Sequence, residues 1–132
     1  MPERSADWIK QAIRDLEVAE ILLEHGFFEW SCFIAQQAAE KAVKAVFQRL
    51  NANAWGHSIY DLFRILSKRV DIHEEILECA RILDRYYIPT RYPNSFESGS
   101  PYEYFTRRDA EDAILCSRRI LEFCKSLLAE SR

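Results

Sequence analysis

The segment Gln36-Gln37-Ala38-Ala39-Glu40-Lys41-Ala42-Val43-Lys44-Ala45 decides how this 132-residue chain is read. Alanine is the strongest helix former, and Ala35, Ala38, Ala39, Ala42 and Ala45 recur at spacings of three and four. The pattern from Glu29 to Leu50 therefore predicts a helix whose small side chains let neighbouring backbones approach closely. Such a helix suits the centre of a bundle. At about 100° per residue, Gln37, Glu40, Lys41 and Lys44 share one face, and the alanines face largely away from them. In isolation that face reads as a solvated stripe, with Glu40 and Lys44 as an i,i+4 ion pair of a few tenths of a kcal/mol. Trp30 and Phe33 project near the same side, however, so the stripe borders aromatic surface and is a candidate site.

Working outward, residues Ser5 to His25 repeat apolar side chains at helical spacing, and Gly26 stands where a left-handed cap would follow. After the connector Asn51 to His57, Ser58-Ile59-Tyr60-Asp61 resembles a capping box and opens a short helix to about Lys68. Asp71-Ile72-His73-Glu74 repeats that start signal. Ile76, Leu77, Ala80, Leu83 and Tyr87 then mark one face until Pro89 ends the pattern. Thr106-Arg107-Arg108-Asp109 opens the last helix, which runs nearly to the C-terminus. Between them, Thr90 to Phe105 is longer than most helix connections in bundles. Its Tyr92, Phe96, Tyr102, Tyr104 and Phe105 can anchor it over the bundle surface. The expected architecture is all-α, with residues 1–132 forming one domain.

Composition agrees. Three Gly and four Pro are too few turn-formers for a sandwich or barrel. Eighteen Lys and Arg against twenty-one Asp and Glu give a net charge of −3, which excludes a polybasic nucleic-acid clamp. No stretch free of charged residues approaches the roughly 20 apolar positions that span a bilayer. The opening residues Met1 to Asp7 carry acids and no apolar run, so a cytoplasmic protein is expected. Cys32, Cys79, Cys116 and Cys124 show no Cys-x-x-Cys spacing and read as small core or boundary residues.

Two further positions carry chemistry. His57 precedes a helix, and a histidine there fits a proton carrier, a hydrogen-bonding ligand or a plain packing residue. Arg85-Tyr86-Tyr87-Ile88-Pro89-Thr90-Arg91-Tyr92-Pro93 sets two guanidinium groups among three tyrosines. Arginine grips phosphate through paired N–H donors while a tyrosine ring stacks on a base, so the combination suits a nucleotide; a loop pinned by cation–π contacts is the plainer alternative. His25 and His73 have no acid or cysteine at ligand spacing, and no metal site is expected. Phosphate-loop, dinucleotide and nucleophile-elbow motifs are all missing, which disfavours a self-contained NTPase, dehydrogenase or α/β-hydrolase.

Taken together, Trp8, Asp15-Leu16, Phe33, the run Gln37 to Ala45, His57, Arg91-Tyr92-Pro93 and Thr106 with Asp109-Ala110 resemble the HEPN domain family across nearly the whole chain. The resemblance implies an up-and-down bundle of four main helices plus one short helix, similar to the substrate-binding domain of kanamycin-type nucleotidyltransferases. It also implies a homodimer that works with a separate minimal nucleotidyltransferase and binds a nucleotide such as ATP or presents a substrate, without catalysing alone. In that reading Lys41, Lys44 and Arg91 contact phosphate, Tyr92 stacks, and Gln37, Glu40 and His57 complete and orient the site. A second branch of the family consists of metal-independent ribonuclease toxins of toxin–antitoxin pairs, marked by Arg, four to six residues, then His. Here Arg49 and His57 are separated by seven residues, and Arg69 and His73 by three. Under that alternative the proton carrier would be His57, with Arg91 or Arg49 facing the phosphate of RNA. A third reading is a dimerisation scaffold with no small ligand.

Overall fold

The computed structural model describes residues 3–130; Met1, Pro2, Ser131 and Arg132, which belong to the expected 1–132 domain, lie outside the described residues. Among the described residues the regular elements are the helices α1 (Ser5–Glu24), α2 (Phe28–Arg49), α3 (Ile59–Leu66), α4 (Glu74–Asp84) and α5 (Arg107–Glu130), with single 3-10 turns at Pro93–Ser95 and Pro101–Glu103. This is the expected all-α bundle, with α3 as the short helix. Among the described residues no helix is long and apolar enough to cross a membrane.

The alanine-rich helix α2 lies at the centre, packed most extensively against α1 and next against α5. Ala35, Ala38, Ala39, Ala42 and Ala45 are completely buried, and so are Ala12 and Ala19 on α1. In this alanine-lined seam the Ser31 hydroxyl reaches across to donate to the Ala19 carbonyl at 2.8 Å. Methyl groups bury little area each, so the larger side chains supply most of the apolar stabilisation. Phe47, Phe63, Ile59, Leu62, Leu83 and Ile120 are fully enclosed, each contributing about 1.5–3 kcal/mol.

Local signals explain the joints. Gly26 adopts φ 83°, and the Phe27 N–H returns to the Leu22 carbonyl at 2.9 Å, which closes α1 with a left-handed cap and folds α2 back against it. At the start of α5, Thr106 N–H donates to Asp109 Oδ2 at 2.9 Å and Asp109 N–H donates to Thr106 Oγ1 at 3.1 Å, a reciprocal capping box.

Helix α4 departs from expectation at both ends. Its N-cap is His73 rather than Asp71, with no side-chain cap, and Glu74 and Glu75 supply the negative charge its first turn favours. It stops at Asp84, well before Pro89, because the chain tightens there: Tyr86 N–H bonds to the Leu83 carbonyl three residues back, and Thr90 Oγ1 donates to the Tyr86 carbonyl at 2.6 Å. Tyr87 therefore belongs to a turn and not to the apolar face of α4. The long connection that follows is pinned as its aromatics predicted. Phe96 stacks on Tyr104 at 4.0 Å and meets Phe105 edge-on, and Phe105 in turn meets Tyr86 at 5.9 Å; Tyr102 stays exposed.

Candidate functional site

Glu40 is the anchor of the site. The alanine packing that draws α2 into the core carries this carboxylate inside with it, to 5 % exposure. An unpaired buried carboxylate is very costly, so its partners matter. Gln36, one turn earlier, donates from Nε2 to Glu40 Oε1 at 3.0 Å; Lys44, one turn later, donates from Nζ to Oε2 at 3.0 Å. His57 Nδ1 lies 3.0 Å from the same Oε2. Gln37 extends the chain by donating from Nε2 to Gln36 Oε1 at 2.8 Å.

An ionised carboxylate only accepts, so His57 Nδ1 is the donor in this contact and Nε2 is left on the opposite edge of the ring. The ring itself is about half exposed. Three features hold it in place. Gly56, at φ 82°, turns the connector just before it. Just after it, Asp84 at the end of α4 accepts from Ile59 N–H at 2.8 Å, Tyr60 N–H at 3.1 Å and Ser58 Oγ at 2.9 Å, binding the first turn of α3 to α4. Ser58 Oγ also accepts from Asp61 N–H at 3.1 Å, the half of the expected capping box that is present. Burial pushes the Asp84 carboxyl above its ordinary range, against the opposing pull of those hydrogen bonds. Finally, the His57 ring stacks on Tyr87 with centroids 4.5 Å apart and planes 18° from parallel.

Tyr87 joins His57 to Arg91. The Arg91 guanidinium lies 4.3 Å from the Phe33 ring centre, 4.7 Å from Tyr87 and 5.1 Å from Tyr92, and its Nε donates to the Tyr87 carbonyl at 2.9 Å. Trp30 meets Phe33 edge-on at 6.2 Å, so the aromatic border predicted beside the polar stripe is present. The two terminal nitrogens of Arg91 make no hydrogen bond or ion pair with any described residue. They form a rigidly held pair of donors beside the half-exposed ring of Tyr92. A fixed guanidinium next to a free aromatic face and an oriented imidazole can recognise a phosphate, stack on a flat ring and hold or give a proton.

Of the residues singled out from sequence, the structure thus brings together Gln37, Glu40, Lys44 and His57, and joins them through Tyr87 to Arg91 and Tyr92. Lys41 is not part of this cluster. It faces α1, where its Nζ contacts Asp15 Oδ2 at 2.5 Å, and it borders an open cleft with Arg4, Trp8 and Lys10. Arg49 also lies elsewhere, with Nε on Glu3 at 3.2 Å, Nη1 on the Leu128 carbonyl at 3.0 Å and Nη2 on Ser5 at 3.2 Å, where it ties the start of α1 to the end of α5. Sequence reasoning passed over Gln36 and Asp84, and it placed Tyr87 in the arginine–tyrosine segment without joining it to His57. The i−4 spacing of Gln36 from Glu40 was an available signal; nothing local marked Asp84 or the Tyr87–His57 contact, since both act across the fold.

A small helical bundle with a buried glutamate that braces an imidazole beside an aromatic-clad arginine is the class the fold and site define. The HEPN domain model matches residues 5–127, and the chain belongs to that family. It is 30 % identical over 132 residues to "Putative toxin MJ1304" of Methanocaldococcus jannaschii, covering 93 % of this chain and 87 % of that protein. Among solved structures it is similar to TT1696 from Thermus thermophilus, with 42 % identity and a TM-score of 0.92 over 96 % of this chain and 99 % of that one. It also resembles ST0689, described as an archaeal HEPN homologue (45 % identity, TM-score 0.80, 95 % and 98 % covered), and a HEPN domain protein of Thermotoga maritima (44 %, 0.78, 93 % and 98 %).

Proposed function

We propose that this HEPN protein is a cytoplasmic, homodimeric nucleotide-binding subunit that acts with a separate minimal nucleotidyltransferase and does not catalyse alone. The observation that carries the reading is Arg91: its Nε is occupied by the Tyr87 carbonyl and its guanidinium carbon lies within 5.1 Å of three aromatic ring centres, while its terminal nitrogens keep their donors for an anion. A phosphate would take those donors in paired fashion, with Lys44 adding positive charge through the Glu40 network. Tyr92, half exposed and adjacent, offers a face to the base, and stacking of that kind is worth about 1–3 kcal/mol per base. Glu40 holds His57 in register, with Gln37 behind it through Gln36, so that the Nε2 edge faces the ligand. Lys41 is left out of the site because it is engaged with Asp15 on the α1 side.

The test is a calorimetric titration of the purified protein with ATP, paired with an RNA-cleavage assay in EDTA. Saturable binding that Arg91→Ala removes, with no RNA cleavage by either protein, is the expected result. Cleavage that His57→Ala abolishes while helicity is kept would replace the binding role with a ribonuclease one. No binding and no cleavage would leave the scaffold reading.

A further inference from the structure

The turn after α4 divides the arginine–tyrosine segment. Tyr87, Arg91 and Tyr92 join the His57 site, whereas Arg85 and Tyr86 line a cavity between the end of α4 and the first half of α5. Its volume is about 540 Å³, within the range of small-molecule sites. On the α5 side, Asp109, Asp112, Leu115 and Arg119 recur at spacings of three and four and so face the cavity together. Phe105, which meets the Tyr86 ring edge-on at 5.9 Å, completes an apolar wall with Ile82 and Leu115. We propose that this cavity binds a small monocarboxylate with an apolar body, the carboxylate accepting from the Tyr86 hydroxyl and the Arg85 and Arg119 guanidiniums and the hydrocarbon lying against that wall.

The partners already made inside the lining decide the charge of the ligand. Tyr86 is only 8 % exposed, and its backbone is fixed on both sides, the N–H bonded to the Leu83 carbonyl at 2.9 Å and the carbonyl accepting from Thr90 Oγ1 at 2.6 Å. Its hydroxyl makes no hydrogen bond with any described residue, and it is not sealed as the unpartnered Ser117 hydroxyl is, so it is left to the cavity that the residue lines. Burial pushes the phenol up, which keeps it protonated and a donor. Arg85 and Arg119 are exposed and form no ion pair with any described residue. The acids, by contrast, are engaged: Asp109 Oδ2 accepts from Thr106 N–H at 2.9 Å, and Asp112 pairs with Arg108 at 3.4 Å. The lining thus holds three donor groups with no oxygen acceptor among the described residues. An ionised carboxylate only accepts, and its two oxygens can take a hydroxyl and a guanidinium at once. Asp109 and Asp112 also set an upper limit on ligand charge, because every further negative charge would be repelled by them; a monoanion is favoured over a phosphate ester or a nucleotide.

The experiment follows the amide resonances of the full-length protein by heteronuclear NMR during titration with phenylacetate, with isovalerate and with phenethylamine, a cation of similar shape to phenylacetate. The expected result is saturable shifts at Tyr86, Phe105, Leu115 and Arg119 with the carboxylates and none there with the amine. Tyr86→Phe keeps the ring and its contact with Phe105 and should weaken phenylacetate about tenfold, the effect of one hydrogen bond to a charged group. Arg119→Ala, at an exposed position outside the core, should weaken it by a similar factor and serves alone if Tyr86→Phe does not fold. Carboxylate shifts confined to Phe33, Arg91 and Tyr92 would assign the anion to the site beside His57 and overturn the proposal. So would the absence of saturable shifts with both carboxylates, equal binding of phenethylamine, or unchanged affinity in the folded variants.

Discussion

Glu40 and Lys41 are neighbours in sequence and lie in entirely different environments. A step of about 100° around α2 sends Glu40 toward His57, where Gln36, Lys44 and His57 surround it, and sends Lys41 toward α1, where Asp15 receives it. On the Glu40 side a buried carboxylate gathers donors from two segments and orients a titratable ring that reaches the aromatic arginine cluster. On the Lys41 side a partly exposed ion pair joins two helices. A polar stripe on one helical face is thus divided by what packs against each flank, and only one flank builds a site.

The largest effect should follow removal of the anchor. Glu40→Ala leaves the Lys44 ammonium and the Gln36 amide without their acceptor in a nearly closed environment, and a loss of about 3 kcal/mol is expected in urea unfolding. Asp84→Ala removes the acceptor shared by Ile59, Tyr60 and Ser58. It should cost about 2 kcal/mol and loosen His57, seen as collapse of the chemical-shift difference imposed by Tyr87 stacking. Lys41→Ala should cost about 1 kcal/mol or less, because its pair with Asp15 is partly solvated. A loss there as large as that of Glu40→Ala would erase the distinction between the two flanks.

The smallest effect is in pH dependence. Burial raises the Asp84 carboxyl above its ordinary 3.8, so the folded state holds this proton more tightly than the unfolded chain does. Its contribution is therefore complete below the ordinary value and declines as pH rises through the folded one. The stability difference between wild type and Asp84→Asn should shift against wild type as pH rises from about 3 to about 6, measured by urea midpoints at each pH. A shift in wild type's favour would mean that the three hydrogen bonds outweigh desolvation.

How far these features were legible in the sequence follows from how local they are. The Gly26 cap, the Thr106–Asp109 box and the alanine seam of α2 depend on residues within one or two turns, and each stands where the pattern places it. The gathering of Gln37, Glu40, Lys44 and His57 was foreshadowed by helical spacing and by the aromatic border. The contact of Tyr87 with His57 was not, because apolar periodicity continues past Asp84 while the backbone has already tightened into a turn, and that turn aims the ring at His57. The departure of Lys41 toward α1 and the capture of Arg49 by both chain ends depend on helix packing, which no spacing within α2 encodes.

The most direct measurement compares ATP affinity in wild type, Arg91→Ala and Lys41→Ala by calorimetry. The account predicts at least a tenfold loss, about 1.4 kcal/mol, for Arg91→Ala and a change within about twofold for Lys41→Ala. Equal losses in the two variants, or a loss confined to Lys41→Ala, would contradict it and move the nucleotide to the α1 side of α2.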